Sequence, residues 1–290
     1  MQLPLQGFEQ ARPLKIVNVA SVSQLSPFRY PGGKTWLVPY VLGWLRSLPQ
    51  RPSLMIDPFL GGGSVPLSAL REGLTERLVL REIDDEVAAV WQCIFTEACE
   101  ALCKKILTFR ISRGAVIREL QKQDTTLAGR AFRTILKNRT YRGGILAKGA
   151  SLMNVGENGR GVSSRWYPGT LVRRIRCLAE LGPSIGFECG DGIQLIRDFA
   201  SERQAVFFVD PPYTAGSGKR AGTRLYPHNQ LDHDELFGLM ANCAGRFLMT
   251  YDDDPAVEAL AARFGFKTER VPMKSTHHDK KFELVITQST

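Results

Sequence analysis

Short apolar runs alternate with amphipathic helical patterns along most of the chain. Five runs are rich in aliphatic, β-branched or aromatic residues and predict buried strands, at 53–57, 77–83, 185–190, 205–210 and 246–251. Around them, apolar residues recur at helical spacing, at 36–48, 64–72, 84–109, 191–204, 233–243 and 255–264. Two further runs, 266–272 and 281–287, have only a polar loop between them and are expected to pair antiparallel. The alternation predicts an α/β fold whose mostly parallel, doubly wound sheet has an antiparallel edge hairpin.

A different pattern interrupts the alternation between residues 110 and 170. Residues 110–140 carry a helical pattern, whereas residues 141–170 are rich in Gly, Ser and Asn and predict a long loop or a small hairpin. A loop of that length in a compact protein is usually functional or disordered. We therefore expect one domain from residues 26–109 and 171–290, an insert at 110–170, and a loose leader at 1–25.

Positive charge is concentrated in the same part of the chain. The whole sequence has a net charge of +9, yet residues 104–176 hold 17 Lys or Arg against three acids, so the remainder is acidic. A solvated basic helix face is the simplest explanation. At this density, however, we favour contact with a polyanion, and nucleic acid is the usual one.

Cysteine usage and hydropathy indicate a cytoplasmic protein. The six cysteines form no C-x-x-C pair and predict neither a zinc framework nor a disulfide scaffold. No apolar run approaches the ~20 residues of a membrane span. The first 20 residues lack a basic start followed by an apolar signal core, so neither a membrane nor export is expected. The four histidines are not spaced as ligands, and no metal is expected.

Two glycine-bearing turns are candidate ligand sites. In "RYPGGK" (29–34) the turn would bring backbone and Lys34 close to a ligand, although the same residues also suit a plain helix start. In "DPFLGGGSV" (57–65) a strand ends and a helix begins, which is where ligands bind in open α/β sheets. This segment matches neither the phosphate loop nor the dinucleotide fingerprint. A ligand without pyrophosphate fits better, and a dinucleotide oxidoreductase is disfavoured.

Three acids, Glu82, Asp84 and Asp85, follow the second predicted strand. An acid at the end of this strand would hold a ribose hydroxyl in such folds, and we expect Glu82 in that role. Carboxylates are also favoured at a helix N-terminus, so a structural explanation is open for the others.

The segment "FFVDPPY" (207–213) is the most specific signal. Its apolar residues predict a buried strand that delivers Asp210 to the carboxyl end. The two prolines fix the backbone and remove two N–H donors, so nearby carbonyls are left to accept from a ligand. Tyr213 adds an aromatic face. Hydrogen-bond acceptors beside a stacking ring are what a planar amine such as a nucleobase requires, although the segment would also serve as a turn.

Together these motifs resemble the adenine-specific DNA methyltransferase family that includes the bacterial GATC-modifying enzyme. The resemblance rests on Lys34 in "RYPGGK", Asp57 in "DPFLGGGS" and Asp210 in "DPPY", in this order. "LKNRTYRGG" (136–144) is similar to the family's segment that opens the target-recognition region, and the resemblance extends over about residues 27–286. It implies a Rossmann-like methyltransferase sheet and a small, mainly helical target-recognition insert.

The resemblance also implies S-adenosylmethionine as methyl donor and the N6 amine of adenine in duplex DNA as acceptor, reached by base flipping. Carried over by motif, the cofactor residues would be Tyr30 and Lys34 at the methionine part, Asp57, Phe59, Gly61 and Gly63 in the pocket, Glu82 at the ribose and Asp191 in "CGDG" at the adenine amine. The target base would be held by Asp210, Pro211, Pro212 and Tyr213. Within the basic insert, DNA contacts are expected from Arg139, Arg142, Lys148 and Arg165.

Several alternatives stay open at this point. The chain has "REID" where the family more often has Asp, so either Glu82 or Asp84 is able to hold the ribose. Methylation of RNA, or of the amine of cytosine, would use the same acceptor geometry. A nucleic-acid-binding protein with a dead site is a further alternative, which the intact "DPPY" disfavours. The resemblance allows a cognate restriction endonuclease as a partner, and we expect a monomer in solution.

Overall fold

The computed structural model describes residues 21–29, 32–146, 149–212, 231–274 and 280–289. Seven strands in these residues form one mixed sheet. In chain order they are β1 (Leu54–Asp57), β2 (Arg77–Glu82), β3 (Ile185–Cys189), β4 (Ala205–Val209), β5 (Arg246–Asp252), β6 (Lys267–Lys274) and β7 (Lys280–Thr287).

The strand order across the sheet is β3-β2-β1-β4-β5-β7-β6. The first five strands in this order pair parallel. β7 pairs antiparallel with both β5 and β6, so the predicted antiparallel hairpin at one edge is confirmed. The chain moves outward from β1 to β3 and then returns to β4 on the other side of β1, which confirms the doubly wound topology. Such a reversal leaves a crevice at the carboxyl ends of β1 and β4, where ligands bind in these folds.

Ten helices in the described residues cover the sheet. They are α1 (Val38–Ser47), α2 (Ser64–Arg71), α3 (Asp85–Ile94), α4 (Cys99–Thr108), α5 (Arg113–Leu120), α6 (Leu127–Thr140), α7 (Pro168–Ala179), α8 (Gly192–Phe199), α9 (His233–Asn242) and α10 (Pro255–Arg263). A short 3-10 turn, Lys34–Leu37, leads into α1.

Hydrophobic side chains pack in two clusters, one on each face of the sheet. Because neighbouring residues of a strand point to opposite faces, Phe208 lies in the cluster with α1 to α7, while Phe207 lies in the cluster with α8 to α10. The central strand β4 is buried along its whole length. This explains why its sequence is a continuous apolar run rather than an alternating one.

The prediction of a single helix over residues 84–109 is wrong. The structure has two helices there, α3 and α4, separated at residues 95–98. The hydroxyl of Thr96 donates to the carbonyls of Gln92 and Cys93 and so satisfies acceptors at the end of α3. Apolar residues on both helices still face one core, so the hydrophobic pattern alone does not reveal the break.

The basic segment is built on the same core. Helix α6 packs on α3, and its residues Phe132, Ile135 and Leu136 belong to the cluster that contains Trp91. After α6, Tyr141 and Leu152 make an antiparallel bridge. Among the described residues, every helix is too short or too polar to cross a lipid bilayer.

Candidate active site

The sheet order brings four acids from distant parts of the sequence to one edge. Asp57 ends β1, Glu82 ends β2, Asp191 follows β3 and Asp210 follows β4. Because the four strands are adjacent and parallel, the acids follow one another along the carboxyl edge in the order Asp191, Glu82, Asp57, Asp210. All four are residues that the sequence predicts for the site.

Glu82 is the best-buried acid of the β2 end and is held by backbone donors. One carboxylate oxygen accepts from the N–H of Gly61 at 2.8 Å, and the other accepts from the N–H of Asp84 at 2.9 Å. Burial and the charge of Asp84 raise the pKa of Glu82, the N–H groups of Asp84, Gly61 and Ile83 offset part of the rise, and the resulting pKa is about 7. Glu82 therefore links the turn after β1 to the turn after β2.

Asp84 has a structural role. Its carboxylate is the N-cap of α3 and accepts from the N–H groups of Glu86 and Val87, at 2.9 and 3.1 Å. The structural explanation left open for the acids after β2, a carboxylate at a helix N-terminus, therefore applies to Asp84. Asp84 caps the helix, and Glu82 lies at the strand end.

Asp57 is buried and lies between Glu82 and Asp210 in the order along this edge. One carboxylate oxygen accepts from the N–H of Phe59 at 3.1 Å. Burial raises the pKa of Asp57 well above its ordinary value, and the charges of Asp210 and Glu82 raise it further. Asp57 is therefore close enough to both acids to feel their charges.

The loops after β1 and β3 touch. Asp191 is exposed and caps α8 by accepting from the N–H of Ile193 at 2.9 Å. The next residue, Gly192, lies so close to the carbonyl of Pro58 that a Cβ would be 2.2 Å from its oxygen. Phe59 lies beside the same glycine. The two loops that carry the predicted residues Phe59 and Asp191 therefore contact each other.

The glycine turn after β1 requires glycine at two positions. Gly61 and Gly63 have φ of 47° and 64°, in the left-handed region that side chains disfavour. The carbonyl of Gly61 also accepts from the indole N–H of Trp91 at 3.0 Å. Glu82 thus holds the N–H of Gly61 and Trp91 holds its carbonyl, and the two contacts fix the turn.

Side chains from two other parts of the chain, Lys34 and Thr250, contact Asp210. The ammonium of Lys34 lies 3.0 Å from Asp210 Oδ1 and 3.0 Å from Glu283 Oε1 on β7. The hydroxyl of Thr250 on β5 donates to the same Oδ1 at 2.7 Å. Burial alone would lower the pKa of Lys34, but the two carboxylates outweigh it and the pKa is raised. The predicted glycine turn therefore delivers its lysine to the acid after β4.

Three residues at this edge are missing from the sequence prediction. Glu283 is a buried charge inside the apolar run "FELVI", and that contrast is the signal that points to it. Thr250 gives no such signal, because its role depends on the pairing of β4 with β5. Ile83 lies between Glu82 and Asp84 and is 43% exposed.

The predicted DNA contacts occupy different environments. Arg139 is half-buried and donates from Nη2 to the carbonyl of Pro27 at 2.6 Å, whereas Arg142 is exposed. Arg165 lies close enough to Arg139 to lower its pKa.

The remaining predicted site residues are those at the cofactor and the target base, together with Lys148. Tyr30, Lys148 and Tyr213 lie outside the described residues, while Pro211 is buried and Pro212 half-buried.

A family profile described as D12 class N6 adenine-specific DNA methyltransferase matches residues 30–271. The match covers most of the chain, and the chain belongs to this family. It is a methyltransferase, and its cofactor is S-adenosylmethionine. No curated protein has a sequence that matches this chain.

Solved structures with a similar fold include methyltransferases of other substrates. The rRNA methyltransferase aviRa of Streptomyces viridochromogenes is 14% identical, with a TM-score of 0.43 over 89% of this chain and 86% of that one. The precorrin-6y C5,15-methyltransferase of Geobacter metallireducens is 11% identical, with a TM-score of 0.38 over 88% of this chain and 89% of that one. A Streptococcus pneumoniae protein assigned as a tRNA methyltransferase and solved with S-adenosyl-L-methionine is 11% identical, with a TM-score of 0.37 over 86% and 72%.

The carboxyl edge suits S-adenosylmethionine. The cofactor presents hydroxyl and amine donors and a positive sulfonium, and this edge supplies carboxylate acceptors in a row. The turn with Gly61 and Gly63 offers backbone at positive φ that a ligand can approach closely. The residues present therefore fit the group.

Proposed function

We propose that this protein transfers the methyl group of S-adenosylmethionine to the N6 amine of adenine in duplex DNA, by flipping the base out of the helix. The observation that carries the proposal is the position of Asp210. It follows β4 directly beside the acids of the cofactor edge, is fixed by Lys34 and Thr250, and is followed by two prolines that supply no N–H donor.

Cofactor contacts in this proposal follow the row of acids. Glu82 would accept from the ribose hydroxyls, and Asp191 from the adenine amine. Ile83 would lie against the adenine ring, since its exposed side chain stands between those two positions in the loop after β2. Asp57 and the turn around Gly61 would border the methionine part.

The target amine is a poor nucleophile because its lone pair is delocalised into the ring. Asp210 would accept a hydrogen bond from one amine proton and the carbonyl of Pro211 from the other, which makes the nitrogen richer in electrons. The bound cofactor supplies an electrophilic methyl group on a positive sulfur. The amine nitrogen that Asp210 and Pro211 hold would take the methyl group that the cofactor supplies, the electron pair of the carbon–sulfur bond would stay on sulfur, and the proton of the amine would pass to solvent. Positioning and electrostatics thus supply most of the rate.

Lys34 and Glu283 would act on this step through Asp210. Their carboxylate–ammonium–carboxylate arrangement holds the Asp210 side chain in one orientation and offsets part of the negative charge at this edge. The basic segment would bind the DNA backbone, because most of the positive excess of the chain lies there. The proposal extends to action in the cytoplasm by a monomer.

The experiment is transfer of a tritiated methyl group to three substrates of matched sequence, namely duplex DNA, single-stranded DNA and duplex RNA. Nucleosides from each product are then separated. The proposal expects label in N6-methyldeoxyadenosine from duplex DNA. Label in a methylated cytosine, or label in RNA alone, would replace it with the corresponding alternative. Cofactor binding without any transfer would leave a nucleic-acid-binding protein with a dead site.

A further inference from the structure

Asn138 on α6 joins the basic segment to the chain that precedes the first glycine turn. Its amide oxygen accepts from the N–H of Arg29 at 2.9 Å, and its amide nitrogen donates to the carbonyl of the same residue at 3.1 Å. The same nitrogen donates to the carbonyl of Gly144 at 2.9 Å. Asn138 is fully buried, so these bonds replace the ones that water would make. One side chain thus holds the backbone of two segments that are far apart in the sequence.

Gly144 itself lies against Arg29. Its φ is 75°, in the left-handed region, and a Cβ there would be 2.6 Å from the carbonyl oxygen of Arg29. The preceding Gly143 has a similar φ of 67°, but the described atoms nearest to a Cβ there belong to the side chain of Ile145, at 3.3 Å. The two glycines therefore share a backbone conformation and differ in what a Cβ would displace.

Two arginines add to this connection. Arg139 on α6 donates to the carbonyl of Pro27 at 2.6 Å. Arg174 on α7 donates to the carbonyl of Ser26 at 2.8 Å. The backbone of residues 26–29, which we call the linker segment, is therefore held on α6 and α7 by side chains of the basic segment.

The linker segment also contacts the side chain that fixes the cofactor turn. The ring of Phe28 packs edge to face on the indole of Trp91, with ring centroids 5.7 Å apart. The indole N–H of Trp91 donates to the carbonyl of Gly61 at 3.0 Å. Phe28 and Trp91 are both buried, and close-packed interiors transmit strain. A continuous series of contacts thus runs from Asn138 to the turn after β1.

A second connection leads to the target side of the site. Lys34 follows the linker segment closely in the sequence, and its ammonium lies 3.0 Å from Asp210 Oδ1. The next residue, Thr35, shares a hydrogen bond of 3.2 Å with Ser64, the first residue of α2. The linker segment therefore lies between the basic segment and both halves of the carboxyl edge.

We infer that Asn138 is a positioning residue, through which nucleic acid on the basic segment and cofactor at the carboxyl edge raise each other's affinity. Contiguous packed and hydrogen-bonded groups carry coupling between separate sites. A nucleic acid that fixes α6 and the turn after it also fixes the linker segment, so the two ligands share the cost of ordering it. The inference rests on the proposed function for nucleic acid as the ligand of the basic segment, whereas the contacts belong to the protein.

The test is a binding cycle with a short DNA duplex and S-adenosylhomocysteine, which has no methyl group to transfer. Calorimetry gives the Kd of S-adenosylhomocysteine for the free protein and for the protein saturated with duplex, and their ratio is the coupling factor. We expect the duplex to tighten binding in the wild type by about 5-fold or more, as is usual for coupled sites. Duplex affinity with and without S-adenosylhomocysteine should give the same factor, because coupling is reciprocal.

Two variants test the connection at different atoms. Asn138→Ala removes the bonds to Arg29 and Gly144, and Gly144→Ala pushes the turn away from the carbonyl of Arg29. In both, the affinity for S-adenosylhomocysteine should no longer depend on the duplex. The matched control Gly143→Ala places a Cβ at nearly the same φ in the same turn and should keep the wild-type coupling factor. Urea unfolding shows whether each variant is folded, and Gly144→Ala decides if Asn138→Ala is not.

Three results would overturn the inference. The first is a wild type without coupling. The second is a folded Asn138→Ala, or Gly144→Ala in its place, with the full coupling factor. The third is a loss of coupling in Gly143→Ala equal to that in Gly144→Ala, because strain in the turn would then explain the effect without any contact to Arg29.

The outcome is separable from that of the proposed function. Methyl transfer by the wild-type protein to duplex DNA decides the function, and the coupling factors decide the role of Asn138. Coupling to an RNA duplex that Asn138→Ala abolishes, without any methylation of DNA, would support the inference and refute DNA as the substrate. Methylation of DNA with equal coupling factors in the wild type and Asn138→Ala would do the reverse.

Discussion

The two halves of the carboxyl edge hold their acids in different ways. On the side of β1, β2 and β3, carboxylates accept from backbone N–H groups of nearby turns, as Glu82 does from Gly61 and Asp84. On the side of β4, Asp210 is held by side chains from distant parts of the chain, Lys34 and Thr250. The first half is built by local backbone geometry, and the second by a network of charged and polar side chains.

This difference has an energetic consequence. In the first half Asp57 and Glu82 are buried, and burial raises the pKa of both. In the second half Lys34 lies between two carboxylates. The first half should therefore respond to pH, whereas the second should respond to the loss of any one member.

The largest effect is expected from Lys34→Met. The substitution removes the ammonium from two carboxylates of which Glu283 is buried, so the free energy of unfolding should fall by about 3–5 kcal/mol. Urea unfolding of the two proteins measures this. A loss below about 1 kcal/mol would mean that Lys34 contributes no more than a surface ion pair.

The double variant Lys34→Met/Glu283→Gln is the control for this prediction. It removes the buried negative charge together with its partner and should recover part of the lost stability, because an uncompensated buried charge costs more than an absent pair. No recovery would indicate that the loss comes from packing of the lysine stem instead.

A pH-dependent effect of similar size is expected at Glu82. The unfolded chain releases this proton near pH 4.5, whereas the folded chain keeps it until about pH 7. The folded state binds more protons in that window, so its stability falls as pH rises through it, by about 3 kcal/mol. Urea unfolding near pH 4.5 and pH 8 should show this fall in the wild type. Glu82→Gln should show a smaller fall, with the part that Asp57 contributes remaining. An equal loss of stability in the two proteins would show that the pKa of Glu82 is not raised in the folded state.

A smaller effect separates packing from backbone strain in the turn after β1. A Cβ at Gly63 would meet Leu60, Leu67 and Trp91 at 3.1–3.2 Å, whereas at Gly73, which has nearly the same positive φ, nothing lies within 4 Å. Gly63→Ala should thus be less stable than Gly73→Ala by about 1–3 kcal/mol, the cost of overpacking. Thermal or urea unfolding of both variants measures the difference. Equal losses would mean that the φ angle alone makes glycine necessary.

The smallest effect concerns the two acids after β2. Asp84→Ala removes the N-cap of α3 and should cost about 1 kcal/mol of stability while leaving cofactor affinity unchanged. Calorimetry with S-adenosylmethionine should instead show weaker binding for Glu82→Gln. Weaker cofactor binding for Asp84→Ala, with normal binding for Glu82→Gln, would reverse the assignment of the ribose contact.

The sequence predicts the first half of the edge better than the second, for a physical reason. Asp57 directly follows an apolar run, and Glu82 and Asp191 lie at or just after predicted strands, so the strand and the position of the acid are visible together. Glu283 and Thr250 acquire their roles only when β7 and β4 come to lie beside β5. A pattern along one strand contains no information on which strand pairs with it.

The basic segment shows the same limit. Its charge excess and helical pattern are evident in the sequence, but the environment of Arg139 is not. This arginine is half-buried and donates to the carbonyl of Pro27. Its contact with Pro27 depends on how α6 packs against residues 26–29, which periodicity does not specify.

The most direct test of the central claim is to separate binding from chemistry at Asp210. Asp210→Asn keeps an acceptor for Thr250 but has no carboxylate for the target amine, and Asp210→Ala removes both. Cofactor calorimetry, duplex binding and tritiated-methyl transfer should be measured on each variant and on the wild type. We expect both variants to bind S-adenosylmethionine and DNA within a few-fold of the wild type, while methyl transfer falls by about 10³-fold. Transfer near the wild-type rate in a folded Asp210→Ala would contradict the account, because the segment after β4 would then be only a turn.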